Sequence, residues 1–250
     1  MDPDLVSETL SALSEPDTAR KRRKHLKPFR GLRGTPARGV TEVLVAVWKR
    51  DQPELPRDSD ALHHIFCTAH EDGMVAIGLA AARVPDSPNE VLDLVDRWLG
   101  MADDHETADA LGWLLWGPGL LAAGEPVAET LSQVSKNPRP WTRRSAVMAL
   151  MALLPVPITG QPAGALRERL GRHVQIVETP QTDALAQVCM AFARDQDPHV
   201  RKALIRVLKT WAELEPEPVQ TLIDSVRGGV PKQLREQVEK SVRKGRREQG

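Results

Sequence analysis

Tyrosine is absent from this chain of 250 residues, and phenylalanine occurs only three times. No sustained alternation of β-branched and polar residues compensates, so strands have little to be built from. Cysteine is scarce too. Cys67 and Cys189 are too few for a disulfide scaffold or an all-cysteine zinc site, and they suit a reducing compartment. No stretch of about 18 apolar residues exists, so no membrane span is expected. The opening MDPDLVSETL puts acids where a secretion leader carries basic residues, and a cytoplasmic location is expected. The patterns GxxxxGK(S/T), GxSxG, HExxH and CxxC are all missing. Nucleotide-triphosphatase, α/β-hydrolase, zincin and redox chemistry therefore have no support, and no nucleotide or other cofactor is expected.

Net charge is also missing, since 34 basic side chains balance 34 acidic ones. The balance hides a pattern. Residues 1–50 carry a net +5, residues 51–135 a net −13 and residues 136–250 a net +8. Between residues 20 and 38 stand Arg20, Lys21, Arg22, Arg23, Lys24, Lys27, Arg30, Arg33 and Arg38, with no acid among them. Lys240, Arg243, Lys244, Arg246 and Arg247 crowd the other end. Two basic ends around an acidic middle suit a clamp for a polyanion such as DNA or RNA, although solvated helix faces produce the same tally.

Helical periodicity is what the chain does have. Apolar residues recur at three- and four-residue steps near 4–14, 38–50, 58–69, 71–83, 88–101, 105–116, 125–135, 140–154, 162–175, 180–194, 197–212, 216–227 and 231–246. Breakers separate these segments, among them Pro85, Gly117-Pro118-Gly119, Pro138, Pro155 and Pro198. Proline often sits at a helix start, where its missing N–H costs least. Asp197-Pro198 followed by His-Val-Arg-Lys-Ala-Leu, Arg139-Pro140-Trp141 followed by Thr-Arg-Arg-Ser-Ala-Val, and His70-Glu-Asp-Gly-Met-Val-Ala76 share one form. Units of roughly 35–45 residues match the HEAT/armadillo period. The fold expected is all-α: a superhelical α-solenoid of about six HEAT-like pairs with a concave groove, in one domain over 1–250. Within it, 1–19 is read as an N-terminal helix, 20–38 as a basic helix and turn, and 240–250 as a basic tail. Trp48, Trp98, Trp113, Trp116 and Trp211 read as core or inter-repeat packing, and His63, His64 and His70 as capping or core residues.

Four segments carry a resemblance. His25-Leu-Lys-Pro-Phe-Arg-Gly-Leu-Arg-Gly-Thr-Pro-Ala-Arg38 leads a basic helix into a glycine- and proline-containing turn. Trp98-Leu-Gly-Met-Ala-Asp-Asp-His-Glu-Thr-Ala-Asp-Ala-Leu-Gly112, Pro140-Trp-Thr-Arg-Arg-Ser-Ala146 and Asp197-Pro-His-Val-Arg-Lys-Ala-Leu-Ile-Arg-Val-Leu-Lys-Thr-Trp211 follow in order. Over most of residues 20–240 this set resembles the AlkD-type DNA alkylation repair family, HEAT-like alkylpurine DNA glycosylases.

The resemblance implies a basic concave groove for duplex DNA and excision of cationic N3- or N7-alkylated purines without drawing the base into a pocket. One carboxylate, flanked by aromatics and an arginine, supports positive charge on the deoxyribose as the glycosidic bond breaks. Carried over by position, Asp109 takes the catalytic carboxylate. Arg144 takes the phosphate-side arginine, with Arg143 as second choice. Two positions depart from the family pattern: His105 and Arg206 stand where it has aromatics. An arginine there repels a cationic purine, so DNA binding is expected ahead of excision, and whether excision occurs is left open. Lys21, Lys24, Lys27, Arg30, His105, Arg143, Arg144, Lys202 and Arg206 are the expected DNA contacts. Asp103, Asp104, His105 and Asp109 are too few hard ligands for a metal site, and none is expected. The expected partner is duplex DNA, possibly alkylated, bound by a monomer associated with the nucleoid. The alternative is a non-enzymatic HEAT scaffold for a protein partner or a DNA structure.

Overall fold

The computed structural model describes residues 1–26, 28–156, 177–226 and 232–249. All regular structure among them is helical. The elements are α1 (Pro3–Ala12), α2 (Pro16–Arg22), α3 (Ala37–Asp51), α4 (Ser59–Thr68), α5 (His70–Ala81), α6 (Pro88–Leu99), α7 (His105–Ala110), α8 (Gly117–Ala123), α9 (Val127–Gln133), α10 (Pro140–Ala149), α11 (Thr182–Phe192), α12 (Pro198–Leu214), α13 (Pro216–Ser225) and α14 (Lys232–Gln249). The helix expected at 162–175 and residue Lys27 lie outside the described residues.

Proline stands in the first turn of α1, α2, α6, α10, α12 and α13, as the breaker pattern implies. Aspartates close three N-termini. Asp2 accepts from the backbone N–H groups of Asp4 and Leu5, Asp104 from Thr107, and Asp197 from His199 and Val200. Each cap satisfies donors that the first turn leaves orphaned.

The helices form two rows. In one, α1, α4, α6, α8, α9, α11 and α13 pack in succession; in the other, α3, α5, α7, α10, α12 and α14 do so. Pairs such as α4–α5 and α13–α14 cross between the rows. A single apolar cluster runs through the stack from Val6 to Val242. The fold is therefore the α-solenoid that the periodicity predicts, because no pair could bury its apolar stripe alone. Trp98 and Trp211 are fully buried, and Trp98 stacks on Phe66 with ring centroids 4.5 Å apart. Each such side chain contributes about 1.5–3 kcal/mol by leaving water.

Two local expectations are corrected. The first concerns Gly117-Pro118-Gly119, which breaks no helix. Residues Leu111–Trp116 form a π-helical turn that joins α7 to α8 as one rod. A proline in a regular helix clashes with the carbonyl four residues earlier, here that of Leu114. That carbonyl lies inside the wider π turn, where the bonding step is five residues. The glycines serve the neighbouring helix. A Cβ on Gly112 would sit 2.1 Å from the Ser145 carbonyl oxygen, and one on Gly117 would sit 2.2 Å from that of Ala149. The rod and α10 consequently touch backbone to backbone.

The second correction is at the N-terminus. Residues 1–19 hold α1 and the first half of α2 where the sequence reads as one helix, and the basic helix α2 ends at Arg22. Its only buried residue is Ala19, so it leaves no apolar stripe in the sequence. The chain then runs irregularly back across α5. Gly34 adopts φ +89° where a Cβ would meet Ala19 Cβ at 2.6 Å and the Glu15 carbonyl oxygen at 2.7 Å. Only glycine fits both the backbone angle and the space.

Candidate functional site

The second row of helices brings its N-terminal turns side by side. Asp109 lies one turn into α7, Arg144 one turn into α10, and Arg206 further along α12. Arg144 grips the Asp109 carboxylate through two hydrogen bonds, Nε to Oδ1 at 2.7 Å and Nη2 to Oδ2 at 2.9 Å. Its remaining nitrogen, Nη1, donates to the His199 carbonyl oxygen at 2.6 Å. Asp109 and Arg144 are 4% and 6% exposed, so this pair is sealed from water on nearly every side. Two parallel N–H···O bonds are the strongest arrangement open to an arginine and a carboxylate.

Arg206 approaches the same carboxylate from the open side. Its Nη1 is 3.5 Å from Asp109 Oδ2, and its guanidinium carbon lies 5.1 Å from the centre of the Trp113 ring. Trp113 belongs to the π turn and is buried, as expected of core, yet its ring also receives this cation. Sequence reasoning missed that second role, although a residue four positions after Asp109 falls on the same helix face. Beside the centre, Trp141 and His199 stack at a tilt with ring centroids 4.5 Å apart. His105, half-buried at the start of α7, is one turn before Asp109.

The expected DNA contacts divide into two groups. Lys21, Lys24, Lys202 and Arg206 are exposed. Lys202, Arg206 and Lys209 are spaced four and three residues apart, so they share one outward face of α12. Arg30, Arg143 and Arg144 instead turn inward, onto carbonyls, carboxylates and a ring of the protein itself. Arg30 stacks on the Phe66 ring with its guanidinium carbon 4.4 Å from the centroid, and donates to the Phe66 carbonyl and the Thr107 hydroxyl. Burial lowers its pKa, against the pull of Asp103 and Asp104. Arg143 forms a two-bond pair with Asp195, at 2.7 and 3.2 Å, and also donates to the Asn137 carbonyl. A sequence of cations does not say which of them face neighbouring carboxylates; packing decides that.

Apart from Asp195, the acidic middle supplies those carboxylates. His70, Glu71 and Asp72 open α5 and are fully buried. Arg22 donates to Glu71 Oε1 at 2.9 Å and to Glu106. Arg33 grips Asp72 with two bonds, and the backbone N–H groups of Arg33 and Gly34 donate to Glu71. His70 bridges Asp104 and Glu106, with both ring nitrogens 3.2 Å from carboxylate oxygens. Burial pushes the imidazole pKa down, but the two carboxylates outweigh it and raise it to about 9. Burial alone would raise the Asp104 and Glu106 carboxyls. Their bonds to His70, together with those from Thr107 and the charge of Arg22, hold both below the ordinary carboxylate range. The basic N-terminal segment thus spends Arg22, Arg30 and Arg33 on the protein itself. Lys21, Arg23 and Lys24 remain outward with no ion pair to any described residue.

No group of three or more His, Cys, Asp or Glu side chains among the described residues is arranged to hold a metal ion. His63 and Cys67 approach each other, with Sγ 3.6 Å from Nε2, but the Trp98 indole N–H donates to His63 Nδ1. That bond leaves the ring proton on Nε2, where no lone pair faces a cation. Among the described residues, no helix is long and apolar enough to cross a membrane.

The two-row solenoid and the Asp109–Arg144 centre define a class of helical-repeat protein, and the sequence comparison narrows it. The family described as DNA alkylation repair enzyme matches residues 6–236, and the chain belongs to it. A search of curated proteins finds no significant match.

Proposed function

We propose that this member of the DNA alkylation repair family binds duplex DNA through the exposed cations of α2, of the turn that follows it and of α12, and that its release of alkylated purines is slow. One observation carries the reading: the Asp109 carboxylate is shared between two guanidiniums, and the outer one belongs to an exposed row of cations on α12. A surface of this kind attracts the phosphate backbone, which releases counterions and supplies affinity without sequence preference. A carboxylate so neutralised gives little support to positive charge growing on a deoxyribose, which is the assistance that glycosidic cleavage needs.

Binding to a plain duplex, measured against salt concentration, tests the interface. Each lost phosphate contact lowers the slope of log K against log salt by about one. Lys202→Gln/Lys209→Gln is expected to lower it by about two, and Lys21→Gln/Lys24→Gln by a similar amount. A slope unchanged in both pairs would remove the interface from these helices. Absence of DNA binding altogether would favour a scaffold for a protein partner. Duplexes carrying N7-methylguanine, incubated with wild type and with Asp109→Asn, test the chemistry. Rapid base release by wild type, abolished in the variant, would contradict the slow excision proposed.

A further inference from the structure

An acidic group and an aromatic face meeting at one point make a receptor for a cation. The carboxylate supplies charge, and the ring supplies the negative side of its quadrupole. Asp109 and Trp113 meet in this way, and their shared point is occupied by Arg206. The two arginines at Asp109 are held very differently. Arg144 is buried and uses three nitrogens in bonds of 2.6 to 2.9 Å. The Arg206 side chain is 46% exposed, and its approach to Asp109 is no closer than 3.5 Å. Arg144 is a fixture of the fold, whereas Arg206 rests in its seat.

Charge makes the same distinction. One carboxylate and two guanidiniums sum to a single positive charge. A further cation arriving beside them would raise that sum. If Arg206 has left, an arriving monocation restores the same sum and finds the same ring and carboxylate. We propose that Arg206 is a built-in occupant of a cation site formed by Asp109 and Trp113, and that it must leave before a cationic group from outside can enter. Arg206 shares the outward face of α12 with Lys202 and Lys209, so a phosphate bound there would draw the guanidinium away from Asp109 and empty the seat. The nature of the outside cation, an alkylated purine, rests on the reading proposed above. The existence of the seat does not.

The test therefore uses no DNA. 7-Methylguanosine, in mildly acidic buffer where it is cationic, is titrated against the full chain, with tryptophan fluorescence as readout and guanosine as the neutral control. Arg206→Gln is expected to bind the methylated nucleoside roughly tenfold more tightly than wild type, with no gain for guanosine. Arg206→Lys keeps a cation in the seat and is expected to behave as wild type. Adding Asp109→Asn to Arg206→Gln is expected to abolish the gain. Arg206→Met, which keeps the helix-forming stem, guards against a folding defect in the first variant. If neither Arg206→Gln nor Arg206→Met gains affinity, or if the gain extends equally to guanosine, the seat does not exist. Loss of DNA binding in wild type would sink the functional reading and leave this result standing.

Discussion

At the scale of the residue, Asp109 shows how burial and charge settle a role. Its carboxylate has left water almost completely, which is tolerable only because Arg144 meets it with two bonds. Removing one partner of such a pair strands a buried charge at a cost of about 3–5 kcal/mol, whereas exchanging both partners for neutral groups costs less. Arg144→Ala should therefore lower unfolding free energy in denaturant by about that amount. Asp109→Asn/Arg144→Met should fall well short of the sum of its singles. If the double variant proves additive, the two side chains do not support each other. The resemblance to the repair family placed Asp109, Arg144 and Arg206 at one locus, and the structure brings them together. It put Arg144 ahead of Arg143, which in the structure braces Asp195 instead. It did not show Trp113 as a second face of the locus, because a tryptophan at helical spacing reads as core, which it also is.

At the scale of the element, the rod formed by α7, the π turn and α8 carries the locus. The sequence announced a helix from residue 105 and misplaced its end, since Gly117-Pro118-Gly119 reads as a breaker in any local reckoning. Only contact with α10 explains both glycines. With Gly112 and Gly117 lacking side chains, the two helix backbones approach closely enough for Asp109 to reach Arg144. Gly112→Ala would gain about 1 kcal/mol of helix propensity in an isolated helix. Here the added carbon would collide with the Ser145 carbonyl and the Ala149 amide nitrogen, groups that cannot swing aside. Overpacking of this kind costs about 1–3 kcal/mol, and more when backbone must move. A melting temperature lowered by several degrees is expected in calorimetry, at about 2–4 °C per kcal/mol for a chain this long. A variant as stable as wild type would mean that the helices can part freely. The bounds of α2 were illegible for the opposite reason: the sequence reads as a basic helix from residue 20, but with one buried residue it has no periodicity to mark its ends.

At the scale of the whole molecule, the segregated charge of the sequence proved to be partly an internal matter. The acidic middle was legible as a block, but its destination was not, because burial beside Arg22 and Arg33 depends on how the N-terminal segment folds over α5. This network makes stability depend on pH. His70 has a raised pKa of about 9 in the folded protein, so its contribution is complete below the ordinary histidine value of about 6.5 and is lost as pH climbs toward 9. Asp104 and Glu106, both lowered, contribute above the ordinary carboxylate value of about 4 and lose that contribution in acid. Stability should peak between about pH 4.5 and 6.5 and decline into the alkaline range. His70→Asn should be less stable at the peak and should flatten the alkaline decline. The same slope in both proteins would show that other groups govern it.

The bonds from Arg22 to Glu71 and to Glu106 span 49 and 84 residues of chain. On a ribosome the first two helices emerge long before those partners. At about 5–20 residues per second, Arg22 waits roughly 4–17 s for Glu106 to be made. For the later part of that interval the basic segment has only the carboxylates of Glu71 and Asp72 to meet it. The order of synthesis thus completes the seat of the basic segment in two stages, first with the carboxylates of α5 and last with Glu106 of α7.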